Sequence, residues 1–345
     1  MKASAETIIP TMSDFETIHE LISGRAYAAA VYVAAKLGIA DLLRDKDKTA
    51  NELANELNVN EQALYRLMRA LASMNIFNET GDKLFSLTPL AATLRSDIPN
   101  SIRDLTIMCG SDWHWQTWGG LLYTIQTGKA YFPNKFGKEF FPFIKENEEA
   151  EIEFNNGMSS LSSLNNYAIA DQYAFPENKT IIDIGGGHGG LLRSILKVNP
   201  TAKGILFDLP SVTKAATRFW KDDSINHRLT ILGGDFFAGI PAGGDIYILK
   251  HVLHGLDDQQ STKLLKNIAA TMPAHAKLLI IEMIIPDDNA RSFSKFNDLG
   301  MMLISGRGQE RSQKQFEEII TDSSLAVKNI YPAHFGVCLI ETIIK

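Results

Sequence analysis

The sequence predicts an α/β protein with a mostly helical first part and a mostly parallel sheet after it. Two observations lead to this fold class. From Thr180 onward, short apolar strands alternate with amphipathic helices, an order typical of parallel sheets with helices on both faces. Before Thr180, helical patterns predominate and a single hairpin signal surrounds Thr80-Gly81-Asp82. The length of 345 residues leaves room for about two domains.

The helices of the first part begin at residues whose side chains can accept a backbone N–H. The first helix should run to Leu37 and end at Gly38. Strands at 76–79 and 84–87 flank the hairpin turn, so helix, helix and hairpin follow each other in the order of a winged-helix unit. The expected caps are Ser13 or Asp14, Thr49 in a capping box with Glu52, Asn60, and Thr88 before Pro89.

The second part begins after Phe175-Pro176, where the sequence rhythm changes. Residues 327–331 and 337–344 are separated by a short connection, which predicts an antiparallel pair closing the sheet. We therefore predict three segments, 1–110, 111–176 and 177–345. The expected strands before the closing pair are 181–184, 204–207, 229–232, 246–249 and 278–281, with helices at 191–198, 211–220 and 260–272.

Composition excludes several classes of protein. Asp plus Glu outnumber Lys plus Arg by 40 to 34, which argues against a nucleic-acid partner. Cys109 and Cys338 are the two cysteines and form no C-x-x-C motif, so we expect a reducing compartment. The most apolar stretches, 247–256 and 277–286, are shorter than the roughly 20 residues that cross a bilayer. We expect a cytoplasmic protein without a membrane partner.

A glycine-rich turn follows the first strand of the sheet, in Asp183-Ile184-Gly185-Gly186-Gly187-His188-Gly189. Such a turn lets the backbone approach a ligand closely. Gly185, Gly187 and Gly190 also match G-x-G-x-x-G, so a dinucleotide site is one possible interpretation. Asp183 would repel a pyrophosphate, but its carboxylate suits the ammonium and sulfonium groups of S-adenosylmethionine.

Chemically suitable side chains also follow the next strands. Asp208 ends the second strand, where a carboxylate can hold both ribose hydroxyls. Asp235 and Phe236 follow the third strand and offer an acceptor and a ring face to adenine, and Lys250 ends the fourth. Each residue alone could be a helix cap or a core residue. Together they lie at the carboxyl edge of the predicted sheet, where open α/β sheets bind ligands.

With these motifs the chain resembles the two-domain class I O-methyltransferases of small hydroxylated molecules. That group includes plant caffeate and flavonoid enzymes, hydroxyindole methyltransferase and bacterial natural-product tailoring enzymes. The resemblance implies a Rossmann-like seven-stranded sheet with the C-terminal strand pair, and a winged-helix-like dimerisation domain at 1–110. Residues 111–176 would be a helical connector contributing to the substrate pocket, and 177–345 the catalytic domain. The matching segments are DIGGGHG at 183–189, FDLPSV at 207–212, GDFF at 234–237, LKHVLHGLDD at 249–258, IIEMIIP at 280–286 and GQERSQKQFEEI at 308–319.

The resemblance implies a metal-independent homodimer of secondary metabolism. It would use S-adenosylmethionine, release S-adenosylhomocysteine, and methylate a hydroxyl of a small aromatic or polyketide-like metabolite. His254 matches the general base of the family, and Glu282 and Glu310 match the acidic residues that flank it. The implied cofactor set is Asp183, Gly185, Gly187, Asp208, Leu209, Asp235, Phe236 and Lys250, and the implied acceptor set is Trp113, Asn155, Met158, Asp298, Met301 and Met302.

Histidine suits this reaction because its pKa near neutrality lets it remove a phenolic proton as the oxygen attacks the methyl carbon. The family usually has His-Asp-Trp where this chain has His254-Gly255-Leu256, so the usual acceptor contacts are missing there. A few relatives on the scaffold hydroxylate or decarboxylate their substrates, which leaves chemistry without methyl transfer open.

Three other interpretations of the sequence are a metal site, an oxidoreductase and a DNA-binding regulator. His251 and His254 could belong to a metal site, but no third ligand stands at a recognisable spacing. Asp257 and Asp258 are close in the sequence but more simply cap the next helix, so no metal is expected. Asp183 and the closing strand pair disfavour a nicotinamide-dependent oxidoreductase. Arg66 and Arg69 on the second helix would suit a winged-helix regulator, but the acidic balance disfavours DNA binding.

Overall fold

The computed structural model describes residues 10–220, 224–333 and 336–345. The chain divides into two compact units, one of Met1–His114 with Glu153–Ser160 and one of Trp115–Ile152 with Leu161–Lys345. The three predicted segments with boundaries at 110 and 176 stay a prediction. No helix in the described part of the chain has the length and hydropathy to cross a membrane.

The first unit follows the predicted order of helix, helix and hairpin. Its three short strands form an antiparallel sheet in the order β1-β3-β2. Its elements are α1 (Met12–Leu37), α2 (Ile39–Leu42), β1 (Lys48–Thr49), α3 (Ala50–Leu57), α4 (Glu61–Ser73), β2 (Phe77–Gly81), β3 (Leu84–Leu87), α5 (Pro89–Ala92) and α6 (Arg103–Gly110).

The capping side chains fix where these helices begin. Thr49 with Glu52, Asn60 and Thr88 cap α3, α4 and α5, as predicted. The cap predicted for α1 is wrong, because Thr11 takes that position rather than Ser13 or Asp14. Asp14 lies one turn later, so its carboxylate reaches back and accepts the backbone N–H and the hydroxyl of Thr11.

The core of the first unit lies between α3, α4 and the hairpin. Leu53, Met68, Leu71, Phe77 and Phe85 are all at most 1% exposed. The apolar positions of α4 recur at three- and four-residue intervals, so one face of the helix packs on this core.

Five helices cover residues 112–172, and two of them, at 131–136 and 140–146, carry an aromatic cluster. Phe132, Phe136, Phe140 and Phe143 pack with ring centroids 4.5–5.3 Å apart. These helices are α7 (Asp112–Trp118), α8 (Leu121–Thr127), α9 (Tyr131–Phe136), α10 (Phe140–Glu146) and α11 (Glu148–Gln172), of which α7 and α11 contribute residues to both units.

The main sheet confirms the predicted seven strands and the antiparallel closing pair. Its order is β10-β11-β8-β7-β4-β5-β6, and a short β9, absent from the prediction, pairs with β8. The strands are β4 (Thr180–Ile184), β5 (Lys203–Asp208), β6 (Leu229–Gly233), β7 (Ile246–Lys250), β8 (Lys277–Ile285), β9 (Arg311–Ser312), β10 (Leu325–Pro332) and β11 (Val337–Ile344). The helices between them are α12 (Gly190–Val198), α13 (Pro210–Trp220), α14 (Asp258–Thr271), α15 (Phe293–Ile304) and α16 (Gln313–Thr321).

Both faces of this sheet are covered, which explains why its central strands are continuously apolar. Ile181 packs in one hydrophobic cluster with Leu192 of α12 and Trp220 of α13. Ile182, its neighbour in β4, packs in the other cluster with Leu265 of α14. The strands β6, β5, β4, β7 and β8 are parallel, so their carboxyl ends meet at one edge.

Candidate active site

The glycine turn folds back over the last residues of β4. Gly185 and Gly187 adopt left-handed φ angles of 67° and 61°. At Gly186, a Cβ atom would lie only 2.5 Å from Oδ2 of Asp183. The turn therefore needs glycine here, because any side chain would strike the carboxylate beneath it.

Asp183 is a buried carboxylate with an unused oxygen. It is 1% exposed, and its Oδ1 accepts no hydrogen bond from any residue that the structure describes. Burial raises the pKa of Asp183 to about 7, against the opposing charge of Lys250 and together with the charge of Asp208. Such a group favours a cationic ligand, because positive charge stabilises its ionised form.

Asp208 is tied to the glycine turn at the end of β5. Its Oδ2 accepts the backbone N–H of Gly187 at 2.8 Å, and its Oδ1 accepts that of Leu209 at 2.7 Å. Leu209 itself is 50% exposed. The carboxylate of Asp208 thus lies at the carboxyl edge of the sheet, and backbone N–H groups fix its orientation.

Asp235 and Phe236 follow β6 on the same edge. Oδ1 of Asp235 accepts the backbone N–H of Phe237 at 2.8 Å, a local turn that holds the segment. A Cβ atom on Gly185 would lie 2.9 Å from Val252 and 3.9 Å from the ring of Phe236, so both side chains border the glycine turn. The structure therefore brings the aromatic ring close to the turn, as expected from the sequence.

Lys250 ends β7 with its ammonium group buried. Nζ donates to Oγ of Ser162 at 2.7 Å and to Oδ1 of Asn166 at 2.5 Å, both on α11. Burial lowers the pKa of Lys250 to about 8, although the charges of Asp183 and Glu282 act in the opposite direction. Lys250 thus connects the sheet edge to α11.

The predicted base lies in a single 3₁₀ turn, Leu253–Gly255, that follows β7. Nδ1 of His254 is 3.1 Å from Oε1 of Glu310. Because a carboxylate can only accept, Nδ1 donates this hydrogen bond, and in the neutral imidazole Nε2 then keeps the lone pair. Burial would lower the pKa of His254, but the charge of Glu282 and the hydrogen bond and charge of Glu310 together raise it to about 8.

Glu282 supports the base turn from β8. It is fully buried, and its Oε1 accepts the backbone N–H groups of Leu253 at 2.8 Å and His254 at 3.3 Å. Burial alone would raise the pKa of Glu282, but His254, His251 and these backbone donors hold it below its usual value. Glu282 in β8 and Glu310 just before β9 therefore both approach His254, and the flanking roles that the resemblance implies for them stay a prediction.

Sequence reasoning missed two residues that position the base. Nδ2 of Asn297 donates to Oε1 of Glu310 at 2.7 Å. The buried guanidinium of Arg311 donates to the carbonyl oxygens of Leu253 and Leu256, both at 2.7 Å. Arg311 directly follows Glu310 in the motif at 308–319, which could have indicated it; Asn297 carries no motif of its own.

The residues around His251 also differ from the expectation. Its backbone is left-handed, with φ of 53°, its ring stacks on that of His254, and its Nδ1 is 3.4 Å from Oε2 of Glu282. The sequence shows no third ligand near the two histidines. The pairing of β7 with β8 supplies one, because it brings Glu282 beside residues about thirty positions earlier.

The acceptor candidates fall in both units. In the first, Trp113 is buried and packs edge-on against Phe154, and Asn155 and Met158 lie on α11. In the second, Asp298, Met301 and Met302 are half-buried on α15. Asp298 accepts the backbone N–H of Glu310 at 2.8 Å, and burial raises its pKa. A shared acceptor pocket stays a prediction.

A parallel sheet with a glycine turn over the buried Asp183, and a histidine held by two carboxylates, fit the S-adenosylmethionine-dependent methyltransferases. An O-methyltransferase domain family matches residues 118–325, and an O-methyltransferase dimerisation domain matches residues 19–97. The chain belongs to this O-methyltransferase family and is an S-adenosylmethionine-dependent enzyme with a small-molecule acceptor. These matches do not favour an oxidoreductase, a regulator or chemistry without methyl transfer.

Individual relatives cover nearly the whole chain. The phenazine O-methyltransferase of Lysobacter antibioticus is 39% identical over 93% of this chain and 94% of its own. The mitomycin biosynthesis 6-O-methyltransferase of Streptomyces lavendulae is 34% identical over 93% and 92%. Among solved structures, the SAH-bound methyltransferase of calicheamicin biosynthesis superposes with a TM-score of 0.89, at 29% identity, covering 98% of this chain and 100% of its own.

Proposed function

We propose that this enzyme methylates a hydroxyl of a small aromatic or polyketide-like natural product, with His254 as the general base. The observation that supports this most directly is the hydrogen bond between Nδ1 of His254 and Glu310. It selects the tautomer in which the neutral imidazole, formed as the pH rises through a pKa of about 8, has its lone pair on Nε2. Two buried carboxylates stabilise the imidazolium that forms when Nε2 takes a proton.

The residues at the strand ends fit a cationic methyl donor. Asp183 offers a buried carboxylate with a free oxygen, which suits a ligand carrying ammonium and sulfonium charges. When bound, S-adenosylmethionine supplies a methyl group whose leaving group is a neutral thioether. In this proposal Gly185 and Gly187 lie against the methionine portion and Asp208 holds the ribose. Asp235 and Phe236 hold the adenine, and Lys250 and Leu209 complete the set.

On the acceptor side, Nε2 of neutral His254 would take the hydroxyl proton, which makes the acceptor oxygen a nucleophile toward the methyl group that a bound donor would supply. Glu282 holds the turn through its backbone, and Glu310 fixes the imidazole tautomer. A positioned general base contributes about 10² to 10⁴ in rate. The remaining task of the protein is to align acceptor oxygen and methyl group.

The nature of the acceptor is inferred from the relatives and from the implied pocket residues. The relatives named above are phenazine and mitomycin enzymes, which supports an aromatic or polyketide-like acceptor for this chain. Met158, Met301 and Met302 are flexible, polarizable side chains that can pack on flat ring systems, and Trp113 adds an aromatic surface. Asn155 and Asp298 would contribute polar contacts.

An acceptor screen with methyl-labelled S-adenosylmethionine tests this proposal. The panel pairs hydroxylated phenazines, quinones and naphthoates with the matching amines and with the already methylated ethers. Label should appear on hydroxylated members and be lost in His254→Ala. Transfer to the amines alone would contradict the O-methylation assignment.

We further propose that the enzyme is a homodimer in the cytoplasm. The dimerisation-domain match and the exposed apolar side chains of α1, Phe15, Ile18, Leu21 and Ile22, support self-association. Light scattering should give twice the chain mass, and Leu21→Glu with Ile22→Glu should shift it to the monomer.

The proposed cytoplasmic location is supported by the biosynthetic role of the relatives. Fractionation of the native cells tests it.

A further inference from the structure

Three metal-ligand atoms converge beside the proposed base. They belong to His251, His254 and Glu282, whose ligand atoms, one from each residue, lie within 4.8 Å of one another. We infer that this trio binds a divalent transition metal ion of the zinc type and that the bound ion inhibits methyl transfer. The binding part of this inference stands on its own, whereas the inhibition rests on the proposed role of His254.

The spacing is close to that of a tetrahedral site. In a tetrahedral zinc site, metal–ligand bonds of about 2.0–2.1 Å place neighbouring ligand atoms about 3.3 Å apart. Oε2 of Glu282 is 3.4 Å from Nδ1 of His251 and 3.9 Å from Nδ1 of His254, close to that spacing. Oε1 of Glu310, 3.1 Å from Nδ1 of His254, is placed to become a fourth ligand. Two imidazoles and carboxylate oxygens favour zinc and its neighbours over magnesium or calcium.

The charge around the trio also favours a cation. Glu282 is fully buried and Glu310 is 3% exposed. Oε2 of each accepts no hydrogen bond from the residues that the structure describes. The nearby guanidinium of Arg311 donates to the carbonyl oxygens of Leu253 and Leu256. Its other hydrogen bonds go to the side chains of Asp258 and Ser261. Buried carboxylate oxygens without donors are costly unless positive charge compensates them, and either the imidazolium of His254 or a metal ion in place of its proton can supply that charge.

The backbone of His251 is a second indication. A histidine with φ of 53° sits in the sparsely populated left-handed region, which costs about 1–3 kcal/mol and persists where other interactions hold it. This conformation places Nδ1 of His251 toward Glu282. The hydrogen bonds of the proposed mechanism do not use His251, so metal binding gives its conformation a purpose.

Metal binding and catalysis exclude each other at His254. A metal on Nδ1 needs the lone pair of that atom, so the proton of the neutral imidazole moves to Nε2. An Nε2 that carries a proton cannot accept one from the acceptor hydroxyl. The hydrogen bond to Glu310 is lost at the same time. The donor site at Asp183 and Asp208 keeps all its own contacts.

Calorimetry on chelator-treated enzyme tests the binding directly. Zinc should bind with one equivalent per chain at micromolar concentration, and cobalt should give the visible absorption of a low-symmetry nitrogen and oxygen site. Zinc should lower turnover without changing the affinity for S-adenosylmethionine, and EDTA should restore it.

The matched variant is His251→Asn, because asparagine tolerates the left-handed backbone. It should lose about tenfold or more in zinc affinity, and zinc should inhibit it correspondingly less, relative to its own turnover without zinc. His251→Gln serves as a second variant, with thermal unfolding confirming that both fold. Cys109→Ser with Cys338→Ser controls for zinc on thiols and should bind zinc as the parent does.

The inference is overturned if zinc does not bind, if His251→Asn binds it equally well, or if the cysteine variant loses it. An enzyme that binds zinc at the trio but transfers no methyl group to hydroxyls contradicts the proposed function alone. An enzyme that methylates hydroxyls and ignores zinc contradicts this inference alone.

Discussion

Two parts of the proposed site are built in different ways: the strand ends with Asp208 and Asp235, here called the donor edge because they would bind the methyl donor, and the 3₁₀ turn with His254, here called the base turn. At the donor edge, Asp208 and Asp235 are oriented by backbone donors one or two residues away, and Asp208 also by the glycine turn. At the base turn, His254 is held by side chains 28 and 56 residues later. A site made by local turns can be changed one residue at a time, whereas a site made by distant buried carboxylates responds as a unit. Substitutions on the two sides should therefore change different kinetic constants.

The largest effect is expected for His254→Ala on the base side. We expect turnover to fall by about 10² to 10⁴, because the acceptor proton has no base. The dissociation constant of S-adenosylmethionine should stay nearly unchanged, as measured by calorimetry. Unchanged turnover on the true acceptor would show that the base has been assigned wrongly.

Asp208→Ala is the counterpart on the donor side. Losing hydrogen bonds to a charged group costs about 1.5–3 kcal/mol, so affinity for S-adenosylmethionine should fall roughly tenfold to 100-fold. Turnover at saturating donor should change much less. Glu177→Ala, which removes an exposed carboxylate outside the proposed site, is the control. Equal affinity in Asp208→Ala and the parent would remove the ribose role from this carboxylate.

Asp183 predicts a pH dependence of donor binding. Its pKa of about 7 in the free protein means that it is largely protonated below pH 7, and a cationic ligand favours the ionised form. Affinity for S-adenosylmethionine should therefore rise between pH 6 and pH 8, by up to about tenfold per unit below the pKa. Asp183→Asn keeps the shape of the side chain but removes its titration, while the ligand titrates as before. The plot of affinity against pH should therefore be flatter for this variant than for the parent. Parallel profiles for the two proteins would contradict the charge role.

Asn297→Ala should give the smallest effect. It removes one hydrogen bond, of about 1 kcal/mol, from Oε1 of Glu310, so turnover should fall about fivefold at unchanged donor affinity. Asn297→Asp would place a third carboxylate beside Glu310 and should be worse. If Asn297→Ala instead weakens the binding of S-adenosylmethionine, then the residues that hold His254 and those that bind the methyl donor do not act independently, which contradicts the comparison.

The same difference decides how much could be predicted from the sequence. The strands, the glycine turn and the acidic residues at strand ends follow local patterns, so their positions could be predicted and the structure confirms the strands. Thr11 was missed as the α1 cap because Asp14, one turn later, offers the same chemistry. Asn297, Arg311 and the approach of Glu282 to His251 depend on strand pairing and on α15, which periodicity does not reveal. The cofactor and acceptor roles of the individual residues stay predictions.

The role of His254 can be measured most directly with acceptors of graded acidity. Single-turnover rates of the parent and His254→Ala should be compared on one aromatic acceptor and on analogues whose hydroxyl is increasingly ionised at the assay pH. If His254 removes the proton, the deficit of the variant should shrink steadily and nearly vanish for an acceptor that arrives as the phenolate. A deficit of the same size on every acceptor would show that His254 positions the substrate and does not act as the base.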